Sequence, residues 1–394
     1  MSTFLSALRR GVGSVPVLRD VVRAALVVLR QWPWIRPAGI EPSAARWIDR
    51  AGERAGWYAR QRGDWYRVLH ASKVQAYAPP AEGAADGLFR NEFFRRLPEA
   101  GVYCLRGAYL LGDEGAVLSR DHRLFGEFVH HFGTARLEDG PYFRPFAAFR
   151  ARIPRREEWI ALLAAPQGRN HYHWLFDVLP RLHLLEEYRA QIERYAVPRG
   201  LSGAQREALA RLGVREGQLL ELDPGDKLYC ERLLVPSLPG SEGAVAPWAA
   251  DFLRERLGGG TPPGPGRRRL FVSRSDARER RLSNEAEVAA LLEARGFETI
   301  TPGSLDLEAQ IAAFREAGAV VACHGAALAN LVFSPPCRVL EFLSPQYLRP
   351  DCYFTLSRLL GHEYRALVGE PSGPGWGDIR VDTARVAAVV ESWT

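Results

Sequence analysis

Nine residues, GGGTPPGPG at 258–266, constrain this chain more than any other stretch. No regular helix or strand survives that density of Gly and Pro, so the segment reads as a linker between two folding units. Beyond it the pattern turns regular. A strand is expected at Arg269–Ser273, a helix at Asn284–Arg295 stopped by Gly296, and a strand at Glu298–Thr301. A second helix is expected at Asp306–Ala317, with Ser304 or Asp306 as N-cap and Gly318 as terminator. The strand Ala319–Cys323, a short helix Ala326–Val332 and the strand Arg338–Leu343 complete the series. Strands alternating with helices through short loops imply an α/β fold with a parallel sheet covered on both faces.

The part before the linker is less regular. Residues 1–100 read as a variable, largely helical segment, with Trp47, Trp57, Tyr58, Trp65 and Tyr66 as packing candidates. Short strands are expected within 101–118, a buried strand at 159–165, strands at 218–221 and 228–235, and a helix near 247–257. With ~100–200 residues per domain as a guide, the expected layout is 1–100, a first α/β domain at 101–257, the linker, a second α/β domain at 267–370, and a tail with a helix at 371–394. The hydrophobic fraction of 47% supplies enough apolar material for sizeable cores and argues against disorder.

The net charge of +6 would suit an acidic partner, yet Lys occurs only at Lys73 and Lys227, so 50 of the 52 basic residues are Arg. Such a bias belongs to the whole composition, and only local clusters carry an argument. The five cysteines, Cys104, Cys230, Cys323, Cys337 and Cys352, form no CxxC pair, which fits a reducing, cytoplasmic setting rather than a disulfide framework. Segment 15–35 is apolar but carries Arg19, Asp20, Arg23 and Arg30. It is too charged for a membrane span and suits either a docked helix or one lying on the inner face of an acidic membrane.

In an open parallel sheet, ligands bind outside the carboxyl ends of the strands. The expected C-terminal strands run into Arg274, into His324-Gly325-Ala326, and through Glu341. Segment 267–281 holds seven Arg, and guanidinium forks bind phosphate oxygens bidentately. Arg274, Arg278, Arg280 and Arg281 fall in the loop after the strand, where the alternative is a solvated basic surface. Gly325 permits close backbone approach, and His324 can donate a hydrogen bond to a phosphate or a sugar hydroxyl. Glu341 could hold the two hydroxyls of a ribose or simply face solvent. Before the linker, GRNHYHWLFDVLPRL at 168–182 places His173 and Asp177 four apart, on one helical face, as a candidate base for an acceptor hydroxyl. The same pair could instead fix the loop. Pro180 can open a separate helix. His171, His173 and Asp177 alone are a poor metal site, because no companion motif supplies the remaining ligands.

These residues together resemble glycosyltransferase family 61, in particular a bacterial branch linked to surface or capsular polysaccharide. The first block of likeness is Asn170, His173, Trp174, Asp177, Leu179, Pro180, Arg181 and Leu182. The second runs from Val272–Arg274 through Asn284-Glu285, then His324–Leu328 with Asn330, to the Glu341 strand. The resemblance implies a GT-B-like arrangement, two Rossmann-like domains facing each other across a cleft, with the final helix crossing back onto the first domain. It implies an inverting glycosyltransferase using a nucleoside diphosphate sugar, such as a UDP-linked one, and a glycan or glycolipid acceptor. In that scheme Asp177 is the base with His173 as its partner. Arg274, His324, Gly325 and Ala326 bind the donor diphosphate, Glu341 binds the ribose, and Asn170, Arg181 and Asn330 support the site. No metal or other cofactor is required. A rival reading is a non-catalytic glycan- or nucleotide-binding protein that kept the fold. Binding to nucleic acid is not expected, since the Arg cluster lacks interleaved aromatics and any recognised binding motif.

Overall fold

The computed structural model describes residues 37–55, 63–77, 88, 94–129, 136–139, 141–143, 153–240, 243–262, 264–348 and 351–393. The segment 15–35 considered for membrane contact, and Trp57 and Tyr58, lie outside the described residues. Within them the protein is a mixed α/β fold built on two main sheets.

The first sheet has ten strands among the described residues. In chain order they are β1 Gly39–Glu41, β2 Trp65–His70, β5 Ala100–Leu105, β6 Ala108–Leu111, β7 Ala116–Leu118, β8 Arg123–Phe125, β9 Arg155–Leu162, β10 Arg194–Pro198, β11 Leu219–Leu222 and β12 Lys227–Pro236. Between β2 and β5, a small hairpin pairs β3 Lys73–Ala76 with β4 Phe94–Leu97. The parallel heart of the large sheet has the spatial order β11-β10-β9-β12, so the chain winds outward one way and then reverses between β9 and β12. An antiparallel meander of β6, β7 and β8 extends from β12, while β5 pairs with the other stretch of β12 and carries β2 on its far side. The segment before residue 100 was expected to be largely helical. Its described part supplies one helix, α1 Ala44–Ala55, and strands of which β1 and β2 join the main sheet. The reason is visible in Trp65-Tyr-Arg-Val-Leu-His70, a β-branched and aromatic run whose pairing with β5 outweighs any helical tendency.

The second sheet matches the alternation read after the linker almost element for element. It comprises β13 Arg268–Val272, β14 Glu298–Ile300, β15 Ala317–Cys323, β16 Arg338–Leu343 and β17 Glu363–Val368, all parallel, in the order β14-β13-β15-β16-β17. Its reversal point lies between β13 and β15, where the loops from their carboxyl ends diverge. Besides α1, the helices of nine or more residues are α2 Gly203–Arg211 and α3 Pro247–Arg256 before residue 258, and α4 Glu285–Glu293, α5 Leu307–Arg315, α6 Cys352–Leu360 and α7 Thr383–Glu391 after it. Helix α2 starts from a capping box of Ser202 and Gln205, and Asp306 caps α5 by accepting from the Ala309 N–H. Asn284 precedes α4 but does not cap it. Its amide instead pairs with both the N–H and the carbonyl of Val381, tying the tail to the sheet.

The final helix does not cross to the first sheet. Val386, Val390 and Trp393 pack with Phe271, Leu292 and Leu340 on one face of the second sheet, and Arg295 pairs with Glu391. An apolar stripe meeting an unfilled face of the nearer sheet explains the correction.

One continuous hydrophobic cluster joins the two sheets. It runs from Leu163, Trp174, Val197 and Leu253 to Leu270, Phe314, Val320, Phe333 and Phe354. The Arg254 guanidinium on α3 donates to the carbonyls of Val332 and Ser334, and the linker itself is held where Arg315 donates to Gly258 and Gly260. Among the described residues no helix is long and apolar enough to cross a membrane. Phe333 is 1% exposed at the heart of this junction. Phe333→Ala should cost about 3–5 kcal/mol. Urea denaturation followed by circular dichroism should still show one transition, and two separated transitions would mean that the sheets unfold independently.

Candidate active site

Residues 166–184 leave the carboxyl end of β9 in an unusual helical path. Asn170 opens it, its side-chain oxygen accepting from the Tyr172 N–H. After one turn the backbone widens into a π-turn over Trp174–Val178, with the Leu179 N–H reaching back to the Trp174 carbonyl. Such widened turns are frequent at functional sites. Pro180, which has no N–H to give, precedes a new short helix, Arg181–Leu184. The expected pair forms across the widened turn: His173 Nδ1 lies 2.6 Å from Asp177 Oδ2, both half-buried. Asp177 keeps Oδ1 outside that bond.

Arg181 does not face the site. It is 1% exposed, and its guanidinium donates to the carbonyls of Leu163, Ala164 and Pro236, at the carboxyl ends of β9 and β12. Burial lowers its pKa to about 9. It closes the reversal point of the first sheet by satisfying backbone acceptors that otherwise would be orphaned. Asn330 is fully buried; its Oδ1 accepts from His171 Nε2 at 2.9 Å while its amide nitrogen donates to Gln310. This bond links the 171–178 turn to the second sheet. Burial lowers the pKa of His171, in keeping with a neutral ring there.

At the edge of the second sheet, β13 runs into Ser273 and Arg274. Glu285, at the start of α4, accepts from the Ser273 hydroxyl and the Arg274 N–H and so fixes where the loop leaves the strand. The Arg274 side chain folds back to donate to the carbonyls of Arg280 and Glu279. It lies flat on Gly325: a Cβ built there would sit 1.7 Å from Nη1. This is the physical need for glycine at the start of the segment after β15. Gly325 itself is extended, and the helix it opens, Ala326–Phe333, is a tight 3-10 helix. Ala326 stands at its first position, half-buried.

Arg280 adopts a left-handed backbone, with φ of 56°, which is uncommon for a residue bearing a side chain. This turn offers the carbonyl that Arg274 uses and directs its own N–H to the Trp376 carbonyl. Its guanidinium stands 5.0 Å from the Tyr347 ring centre, and its Nε is buried with no hydrogen-bond partner. Many arginines of this protein sit beside a carboxylate, whereas Arg274 and Arg280 form no ion pair among the described residues. Burial, and then the neighbouring Arg280, lower the pKa of Arg274. Guanidinium stays protonated regardless. Arg278 and Arg281 are exposed.

Glu341 is not at the rim. It lies within β16, 1% exposed, with Oε1 2.5 Å from His324 Nδ1 and Oε2 accepting from the Tyr364 hydroxyl at 2.5 Å. Both oxygens are used, so the ribose contact expected of it is replaced by a hold on His324. The incoming strand β17 brings Tyr364 beside it, which local sequence could not reveal.

Four aromatic residues, Tyr172, Tyr347, Tyr353 and Trp376, connect these parts. His324 packs on Tyr347 and Tyr353, with ring centres 5.4 and 5.0 Å apart. Tyr353 meets Tyr172 at 5.9 Å, and Tyr172 stands edge-on to His173 at 5.3 Å. On the other side Tyr347 meets Trp376 at 5.3 Å. A run of rings therefore leads from the His173–Asp177 pair, past His324 and the unpaired arginines, to Trp376. Among the described residues no group of three or more His, Cys, Asp or Glu could hold a metal ion. All five cysteines are free and buried.

A hydrogen-bonded acid–imidazole pair and two guanidinium groups with no ion pair among the described residues thus lie at the strand ends of two linked α/β sheets, joined by a run of aromatic rings. Residues 171–340 match the family model described as Glycosyltransferase 61, a span holding the dyad, the linker, Arg274 and His324. That domain marks the chain as a glycosyltransferase. No curated protein matches it.

Gly325→Ala should test the guanidinium seat without changing charge. The added methyl displaces a flexible side chain, so the thermal midpoint should move little, while calorimetric affinity for inorganic pyrophosphate should fall about tenfold. Unchanged affinity would show that the position of Arg274 does not matter to anions.

Proposed function

We propose that this glycosyltransferase moves a sugar, with inversion, from a nucleoside diphosphate sugar, UDP-linked in the simplest case, to a hydroxyl of a glycan or glycolipid. The observation that carries the proposal is the pair of unpaired arginines, Arg274 and Arg280, beside His324 at the reversal point of the parallel sheet. That is where α/β sheets bind phosphate-bearing ligands.

In this scheme the acceptor hydroxyl gives its proton to Asp177, which is oriented by His173. The hydroxyl oxygen attacks the anomeric carbon from the face opposite the diphosphate. The bond from that carbon to the phosphate oxygen breaks, and its electrons leave with the diphosphate. Arg274 and Arg280, already oriented by the loop, stabilise that charge as it grows. His324, held through Nδ1 by Glu341, contributes Nε2, a donor when the ring carries both protons. Backbone at Gly325 and Ala326 completes the seat. Asn170, Arg181 and Asn330 act through structure, by capping, closing and linking the elements that carry the dyad.

The two sheets, each with a reversal point bearing site residues, support a GT-B-like relation, with donor mainly on the second and acceptor on the first. The bacterial surface-polysaccharide setting, at the cytoplasmic face of the membrane, follows from the resemblance alone. No step of the scheme draws on a metal.

Asp177→Asn should lower hydrolysis of the best donor in a panel of UDP sugars by about 10²–10⁴-fold, while calorimetric affinity for UDP stays within about twofold of wild type. Unchanged turnover removes Asp177 as base. Arg274→Ala should weaken UDP binding about tenfold or more, and equal affinity removes it from the diphosphate seat.

A further inference from the structure

Trp376 is among the few large apolar side chains left open, 49% exposed, on the loop between the two strands Glu370–Pro371 and Ile379–Arg380. An exposed indole alone means little. Its anchoring is what singles it out. The Trp376 carbonyl accepts from the Arg280 N–H, the Gly377 N–H donates to Gln346 at 2.9 Å, and the Gly375 N–H donates to Asp378 at 2.9 Å. Gly377 has φ of 75° and Gly373 of 106°, both in the left-handed region that favours glycine. Asp378 is buried and also accepts from the Arg281 N–H. The loop that carries Trp376 is thus tied to the very turn that carries Arg280, and the indole stands edge-on to Tyr347, whose ring bears the Arg280 guanidinium.

We infer that Trp376 and Tyr347 form the stacking platform for the base of the donor nucleotide. The inference rests on the donor-site reading above and gives it direction. The reacting sugar must lie toward His173 and Asp177. The diphosphate lies at Arg274, Arg280 and His324. The nucleoside therefore extends away from the dyad, and that end of the run of rings is Tyr347 and Trp376. A flat, held, solvent-facing indole next to cations suits a flat base joined to a diphosphate, because every base has a π-face to stack. The order of the rings also argues against the acceptor sugar as occupant, since the acceptor must reach Asp177 at the opposite end.

The test compares wild type, Trp376→Ala, Trp376→Phe and Arg274→Ala by calorimetry, with UDP, GDP and inorganic pyrophosphate as probes. Trp376→Ala should lose about tenfold or more in affinity for the nucleoside diphosphate that wild type prefers. Pyrophosphate affinity should stay within about twofold, because the phosphate seat is intact. Trp376→Phe should recover most of the loss, and a thermal midpoint near wild type for both variants should confirm folding. Nucleoside diphosphate affinity unchanged in Trp376→Ala, with pyrophosphate binding still sensitive to Arg274→Ala, overturns the platform and leaves the donor site standing. Equal loss for pyrophosphate and nucleoside diphosphate in Trp376→Ala overturns it too, since the indole would then only shape the Arg280 turn. Wild type binding none of the three probes overturns both readings.

Discussion

The hydrogen bond between His171 and Asn330 fixes the relation on which the site depends. Asn330 is buried on the second sheet's 3-10 helix, and His171 opens the turn after β9 on the first sheet. A buried amide must satisfy its donors and acceptor, so the two elements meet in one register rather than sliding over an apolar contact. The surrounding cluster, with Trp174, Leu253 and Phe333, supplies the nonspecific attraction. Asn330 supplies the specificity, and its second bond to Gln310 carries the same constraint into α5. With that register set, Tyr172 reaches Tyr353, and the dyad and the cationic edge become parts of one place.

Much of the second half was legible because its signals are local. Apolar runs bounded by Gly and capping residues predict strands and helices well, and Arg338–Leu343 appears as a strand with the bounds expected. The His173–Asp177 pair was also legible, since a spacing of four survives even the π-turn. Glu341 was not. Its position in a strand could be read, but whether its carboxylate meets solvent or a partner depends on Tyr364, which is 23 residues away and arrives with β17. Trp376 was missed for a similar reason. Nothing in GPGWGD marks a functional indole until its loop is seen docked on Arg280. In the described part of the first 100 residues, β1 and β2 were not legible because they are short and take their stability from pairing with β8 and β5, which is not written locally.

The arginines show how a site can be held ready at a cost. Two guanidinium groups brought close, one with a buried Nε lacking a partner, are less stable than the same groups in water. The left-handed turn at Arg280 adds backbone strain. The fold sustains both because the turn is braced on three sides, by the Arg274 side chain, by the Trp376 carbonyl and by Asp378 holding the next N–H. An anion entering there meets donors already oriented, so little reorganisation is left to oppose charge developing on a leaving group.

The division of labour along the chain follows from the same geometry. The span matched to the family, 171–340, contains the dyad, Arg274, Arg280 and His324. Tyr347, Tyr353 and Trp376, together with Glu341, lie beyond its end. In the proposed scheme the diphosphate seat lies on strand ends whose positions are set by the parallel sheet, and it cannot shift without losing the register of β13 and β15. The rim proposed to meet the base carries Trp376 on a loop between two short strands, attached through the Arg280 backbone and glycine turns, where side chains can change without disturbing the sheet. On the proposed reading, a change of side chain at Trp376 would alter the base contact while leaving the bond from the Arg280 N–H to the Trp376 carbonyl, which is made by backbone and is indifferent to the side chain the rim presents.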